Sequence, residues 1–205
     1  MAAAVCKNSH NRAYRGSIIH STGNPSEVGI DASYQYFPDG LLVVHNGKIQ
    51  ALGHAHDLLP SYAQTLEIFH YKDALITPGF IDTHIHFPQL EMVASYGEQL
   101  LDWLEKYVFP AEARFADRGH AEDVARRFLA ELLRNGTTTA LVFGSVHKES
   151  VDALFEAAAE LGLRIIAGKA LMDRNAPEDL RLTETPTSCM RFPLSKLAWD
   201  CVRIF

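Results

Sequence analysis

The chain has 205 residues, 47% of them hydrophobic, which suits one ordinary domain or two small ones with a real core. Lys and Arg number 19 against 25 Asp and Glu, a net charge of −6 that, with no basic run, argues against a nucleic-acid partner. No stretch has the length of a membrane span or the apolar core of a signal peptide, and three sparse cysteines (Cys6, Cys189, Cys201) fit reduced thiols, so a soluble cytoplasmic protein is expected.

Residues 1–75 read as β-rich. Strands are predicted over Arg15–Thr22, Gly40–His45, Lys48–Gly53 and Leu66–Tyr71, with a short helix over Ala55–Ala63. Asn46-Gly47 is a strong hairpin signal, because a type I′ turn needs positive φ at both central residues. The expected result is a small antiparallel sheet, one portion of a β-sandwich. From residue 76 to 181 strands and helices alternate. Helices are predicted over Glu98–Val108, closed before Pro110, over Ala121–Arg134 and over Ser150–Leu161, with Asn135-Gly136 and Gly162 as stops. Thr137–Phe143 and Arg164–Met172 are apolar runs suited to buried strands. This order predicts a parallel α/β architecture. Residues 182–205, interrupted by Pro186 and Pro193, break the alternation and read as an atypical tail.

The most informative stretch is PGFIDTHIHFPQ, Pro78 to Gln89, which follows the apolar Ala74-Leu75-Ile76. Alternate side chains of a strand point to opposite faces, so His84 and His86 are expected to aim both imidazoles the same way. Two neutral imidazoles converging from one face form a half-site for a divalent metal, zinc most often. Asp82 precedes His84 by two and is read as a hydrogen-bonding or turn residue rather than a ligand. The second H-x-H, His54 and His56, falls beside a glycine in an expected loop and is read as incidental.

With its flanks, this stretch resembles the amidohydrolase superfamily, whose members carry H-x-H at the end of the first strand of a (β/α)8 barrel. HFPQ, LLDWLEKYVFPAEARF (Leu100–Phe115), NGTTTALVF (Asn135–Phe143) and AGKALMDRNAP (Ala167–Pro177) narrow the resemblance to the guanine deaminases. The resemblance implies about three β/α units of an incomplete barrel, preceded by part of a β-sandwich. It implies zinc-dependent hydrolytic deamination of guanine to xanthine and ammonia, with one zinc per complete site. His84 and His86 would be two of its ligands. Zinc lowers the pKa of a bound water, hydroxide attacks the purine carbon bearing the amine, and a carboxylate carries the proton to the leaving ammonia. Gln89 would contact the base edge, since a carboxamide both donates and accepts, and Phe87 would pack on the ring system. A homodimer is also implied. Lys169, on the third predicted strand, invites a carbamylated two-metal site, but its neighbours match the single-metal deaminases.

The family's further ligands, two histidines and an aspartate, and its proton-shuttling glutamate have no counterpart in these motifs, so no catalytic acid or base is assigned. The resemblance ends near Leu182, and a frameshift or gene-prediction error is the simplest expectation for the tail. The 205-residue chain is therefore expected to be truncated and inactive alone. The alternatives are another amidohydrolase, a chlorohydrolase or other nucleobase deaminase, or a non-catalytic fragment.

Overall fold

The chain divides into two units between Pro78 and Gly79. The computed structural model describes residues 11–172 and 174–181 and the backbone of Arg203–Ile204. The three cysteines and nearly all of the 182–205 segment lie outside the described residues.

In the first unit β1 (Arg12–Ser21), β2 (Tyr34–His45), β3 (Lys48–His54) and β4 (Glu67–Ile76) form one sheet in the order β3-β2-β1-β4. A single turn of helix, α1 (Pro25–Val28), interrupts the β1–β2 connection and is capped by the Asn24 side chain. The β2–β3 hairpin closes as predicted, with Asn46 at φ 50° and Gly47 at φ 74°. The sheet is not wholly antiparallel, however: β4 runs parallel to β1. The cause is α2 (Ala55–Tyr62), which carries the chain from β3 to the far side of β1, as a parallel pairing requires. Its apolar face, Leu58, Leu59 and Tyr62, packs on Ala13, Leu41 and Val43. Strand β2 begins six residues before the predicted Gly40 and runs through Pro38. Against β1 its register slips there, Gly40 opposing Gly16 and Phe37 opposing Ile18. Such a bulge is where a strand tolerates proline, whose missing N–H has no ladder partner to serve.

The second unit alternates as expected. Strands β5 (Phe80–His86), β6 (Thr137–Phe143) and β7 (Arg164–Gly168) are parallel and adjacent, joined through α5 (Arg118–Arg134) and α6 (Lys148–Leu161). A two-residue strand, β8 (Arg203–Ile204), pairs antiparallel with β7. Helix α5 begins three residues before the predicted Ala121, because the Asp117 carboxylate caps it by accepting from His120 N at 2.6 Å. The predicted 98–108 helix is replaced by a longer path: α3 (Leu100–Trp103), a π-type segment (Leu104–Val108) and α4 (Phe109–Ala113). Pro110 stands in the first turn of α4 instead of ending the helix, since proline needs no acceptor there. Strand β7 ends at Gly168, so Lys169 lies just past it and is exposed, not buried on a strand.

The core of this unit lies between the sheet and its helices. Ala140 and Val142 of β6 and Ile165 and Ala167 of β7 pack with Val124, Phe128 and Leu129 of α5 and Leu154 and Ala158 of α6. The opposite face of the same strands carries Leu141, 40% exposed, and Phe143, 44% exposed.

Candidate metal centre

Strand β5 is admitted to the sheet by Gly79, where a Cβ would come within 2.1 Å of the Thr138 hydroxyl. Its C-terminal end carries the two histidines. Between Asp82 and Ile85 the register slips: these residues oppose Ala140 and Val142, three steps along β5 against two along β6. Ile85 thereby joins the helix-side core while His86 opposes Phe143 on the other face. The slip sets Asp82 opposite buried Ala140, out of phase with the imidazoles. Its Oδ1 accepts from His84 N at 2.9 Å. Asp82 thus fixes the irregular backbone that aims the histidines, in the turn-forming role expected of it.

His84 and His86 do project together, with ring centroids 5.3 Å apart and Nε2 to Nε2 3.3 Å. Two nitrogens each bound to one tetrahedral zinc at 2.0–2.1 Å are about 3.3 Å apart, so the pair has the bite of a zinc half-site. Phe143 braces both rings, stacking on His86 at 4.8 Å and meeting His84 at 4.9 Å. Burial, and secondarily the charge of His84, holds the His86 pKa below the usual histidine value, which favours the neutral imidazole a metal requires. Among the described residues no group of three or more His, Cys, Asp or Glu side chains is placed to hold a metal.

The turn after β5, Phe87–Met92, is a 3-10 segment. Gln89 reaches back from it, with Nε2 3.3 Å from His86 Nδ1. The turn is pinned from outside by Glu91, whose carboxylate accepts from Arg114 at 2.7 Å and Arg127 at 2.8 Å. Those guanidinium groups hold the Glu91 pKa below the ordinary glutamate value. Phe87 is a correction to the sequence reading. It is fully buried and packs edge-on against Phe115 at 5.0 Å and against Phe128 at 5.6 Å, so it belongs to the core and not to a substrate surface. The residue after an outward-facing strand histidine points inward, and a large aromatic there is taken up by the helices.

A cavity of about 340 Å³ opens beside the histidines, lined by His84, His86, Gln89, Met92, Trp103 and Phe128. Trp103 is half-buried and donates from Nε1 to Ser95 Oγ at 3.1 Å. A larger hollow of about 710 Å³, lined by Leu101, Leu104, Phe109 and Arg181 among others, includes none of these residues. Glu112 of α4 was not foreseen. It is 7% exposed, and burial pushes its carboxyl above the ordinary glutamate pKa. A signal was present: Val108, Glu112 and Phe115 follow the i, i+4, i+7 phase of a buried helix face. The second H-x-H lies not in a loop but across two elements, His54 ending β3 and His56 lying in α2; their rings stack at 5.4 Å, and His56 Nε2 pairs with Asp57 at 3.1 Å. Asp173, four residues after Lys169 and a carboxylate able to pair with it, lies outside the described residues.

Comparison with known proteins identifies the family. A sequence model of the amidohydrolase family matches residues 75–197, reaching past Leu182, where the resemblance by motifs ended. The guanine deaminase of Escherichia coli strain K12 is 49% identical over 172 residues, which are 82% of this chain and 39% of that protein. The solved structure of E. coli guanine deaminase superposes with a TM-score of 0.76 over 84% of this chain and 40% of that one. Guanine deaminase from Bradyrhizobium japonicum gives 0.77 at 38% identity, over 88% and 39%. That from C. acetobutylicum, solved with guanine in its active site, gives 0.68 at 28% identity, over 84% and 39%. The chain therefore spans about two fifths of the length of the relatives it matches. Its sequence, its α/β second unit and its paired strand histidines agree: this chain belongs to the amidohydrolase family.

Proposed function

We propose that the protein carrying this chain is a zinc-dependent guanine deaminase, hydrolysing guanine to xanthine and ammonia. The observation that supports this most is the His84–His86 pair, set at 3.3 Å in a chain 49% identical to a guanine deaminase. His84 and His86 would hold the metal through their Nε2 atoms. Zinc there supplies Lewis acidity, which brings water to a nucleophilic state at neutral pH. Phe143 limits the ring rotations of both ligands, and the neutral state of His86 is favoured by its burial. Gln89, within reach of the same cavity, offers a purine edge both a donor and an acceptor. The remaining ligands and the proton-shuttling carboxylate would come from later strands of a (β/α)8 barrel, of which β5 to β7 are the first three, with the first unit as part of a β-sandwich. A cytoplasmic homodimer is the setting this reading carries with it.

The test is a chimera in which residues 11–181 replace the matching portion of E. coli guanine deaminase. Offered guanine, adenine, cytosine and a chlorotriazine, the zinc-loaded chimera is expected to release ammonia from guanine alone, and His84→Ala or His86→Ala to abolish it. A chimera that folds and takes up zinc but turns over a chlorotriazine or another base, and not guanine, would overturn the assignment. The 205-residue chain by itself is expected to be inactive on all four.

A further inference from the structure

The chain repeats one dipeptide where the 87–92 turn meets its neighbours: Arg114-Phe115 in the 3-10 turn Arg114–Ala116, and Arg127-Phe128 in α5. Both halves of each pair touch the turn. Phe87, at its start, lies edge-on to Phe115 at 5.0 Å and against Phe128 at 5.6 Å. Glu91, near its end, accepts from Arg114 Nη1 on one carboxylate oxygen at 2.7 Å and from Arg127 Nη2 on the other at 2.8 Å. Gln89 stands midway in sequence between these two grips, with Nε2 3.3 Å from His86 Nδ1. We propose that Glu91 is a positioning residue for Gln89: it closes the second grip and so holds the carboxamide at the metal cavity.

Apolar contacts are non-directional, so buried Phe87, Pro88 and Met92 hold the turn to the core without fixing its tilt. Charge-assisted hydrogen bonds are directional, and one guanidinium on each oxygen fixes the plane of the Glu91 carboxylate. Each guanidinium is also held from behind. Arg127 Nε donates to Asp123 Oδ2 at 3.0 Å. Arg114 Nη2 donates to His120 Nδ1 at 3.3 Å, and the His120 ring meets Phe115 at 4.8 Å. These groups form one network around Glu91, the case in which exposed ion pairs carry more weight than an isolated pair. The effect is on position more than on stability. Breaking an exposed pair changes unfolding little, whereas a carboxamide displaced by about 1 Å loses the hydrogen bonds it is placed to make. For its functional meaning the inference rests on reading Gln89 as a contact to the purine edge, but the grip itself does not.

The experiment uses the full 205-residue chain without metal, with folding checked by circular dichroism, and then the zinc-loaded chimera. In Glu91→Ala the Gln89 side-chain NH2 signals, read by NMR, are expected to move from distinct shifts toward those of a free amide. The double variant Arg114→Ala/Arg127→Ala is expected to do the same, and adding Glu91→Ala to it to move them no further, because all three act through one grip. Arg118→Ala, which breaks ion pairs with Glu122 and Glu156 and none with the turn, is expected to leave them unmoved. That control separates positioning from a general loss of ion pairs. In the chimera Glu91→Ala is expected to raise the guanine KM about 2–10-fold, the worth of one hydrogen bond, with kcat held within about twofold. Unmoved Gln89 signals in Glu91→Ala, equal movement in Arg118→Ala, a further shift in the triple variant, or an unchanged KM in an active chimera would each overturn the proposal. If the chimera does not act on guanine, the functional reading fails while the Gln89 signals still decide the role of Glu91, movement in its favour and persistence against it. If Glu91→Ala does not fold, Arg114→Ala/Arg127→Ala decides: moved signals support the grip, and unmoved signals overturn it.

Discussion

The two faces of the β5–β6–β7 sheet differ in what covers them. On the helix side Ala140, Val142, Ile165 and Ala167 are exposed by 3% or less. On the other side Ile81, Leu141 and Phe143 are exposed by 69%, 40% and 44%, and the two imidazoles stand beside Phe143. Both faces are apolar, as in strands built to be covered twice, yet only one is packed by the described residues. The packed face holds the unit together, and the open face is free to carry polar side chains to one end of the strands. That division matches a barrel whose helices lie outside and whose chemistry lies at the strand C-termini. Stability and chemistry should therefore separate by face.

The largest test of that division is truncation on each side. Leu129→Ala and Leu154→Ala, both fully buried, are expected to cost about 2–5 kcal/mol in urea unfolding. Leu141→Ala, on the open face, is expected to cost under about 1 kcal/mol in the same assay. Equal losses would mean that the open face is as well packed as the other. Next in size is the cap of α5: Asp117→Ala, which removes the carboxylate bonded to His120 N, should cost about 1 kcal/mol. Smaller still is the clamp on the 87–92 turn. Arg127→Ala breaks an exposed ion pair with Glu91 and should lower stability by under about 1 kcal/mol, less at high salt.

A pH series sharpens the comparison, because Glu112 is the buried acid nearest the open-face chemistry. Its folded pKa lies above 4.5, so the folded state binds more protons than the unfolded state above that pH. The sign follows: its contribution is intact below pH 4.5 and declines as pH rises through the folded pKa. Wild-type stability, measured against Glu112→Gln by urea unfolding, should thus fall relative to the variant between pH 4.5 and neutrality. A relative rise over that range would contradict the placement of Glu112 in a poorly solvated site.

Much of this was legible in the sequence because it depends on local periodicity. The H-x-H spacing sufficed to bring two imidazoles to one face, and Asn46-Gly47 sufficed to close the hairpin. What escaped depended on partners distant in the chain. Phe87 adjoins His86 in sequence but is claimed by Phe115 and Phe128 of the helical layer. The parallel pairing of β4 depends on where α2 delivers the chain, which no strand pattern states. The predicted strand began only at Gly40 because the bulge at Pro38 needs two strands to define it. Glu112 stands in the apolar phase of Val108 and Phe115, and only the packing of distant segments around α4 buries it.

The central claim is that His84 and His86 are a zinc half-site on the open face of the sheet. X-ray absorption at the zinc edge, on the chimera described above, tests it most directly. The account predicts imidazole nitrogen scattering at about 2.0–2.1 Å that weakens in both His84→Ala and His86→Ala. A zinc spectrum unchanged by either substitution would contradict it.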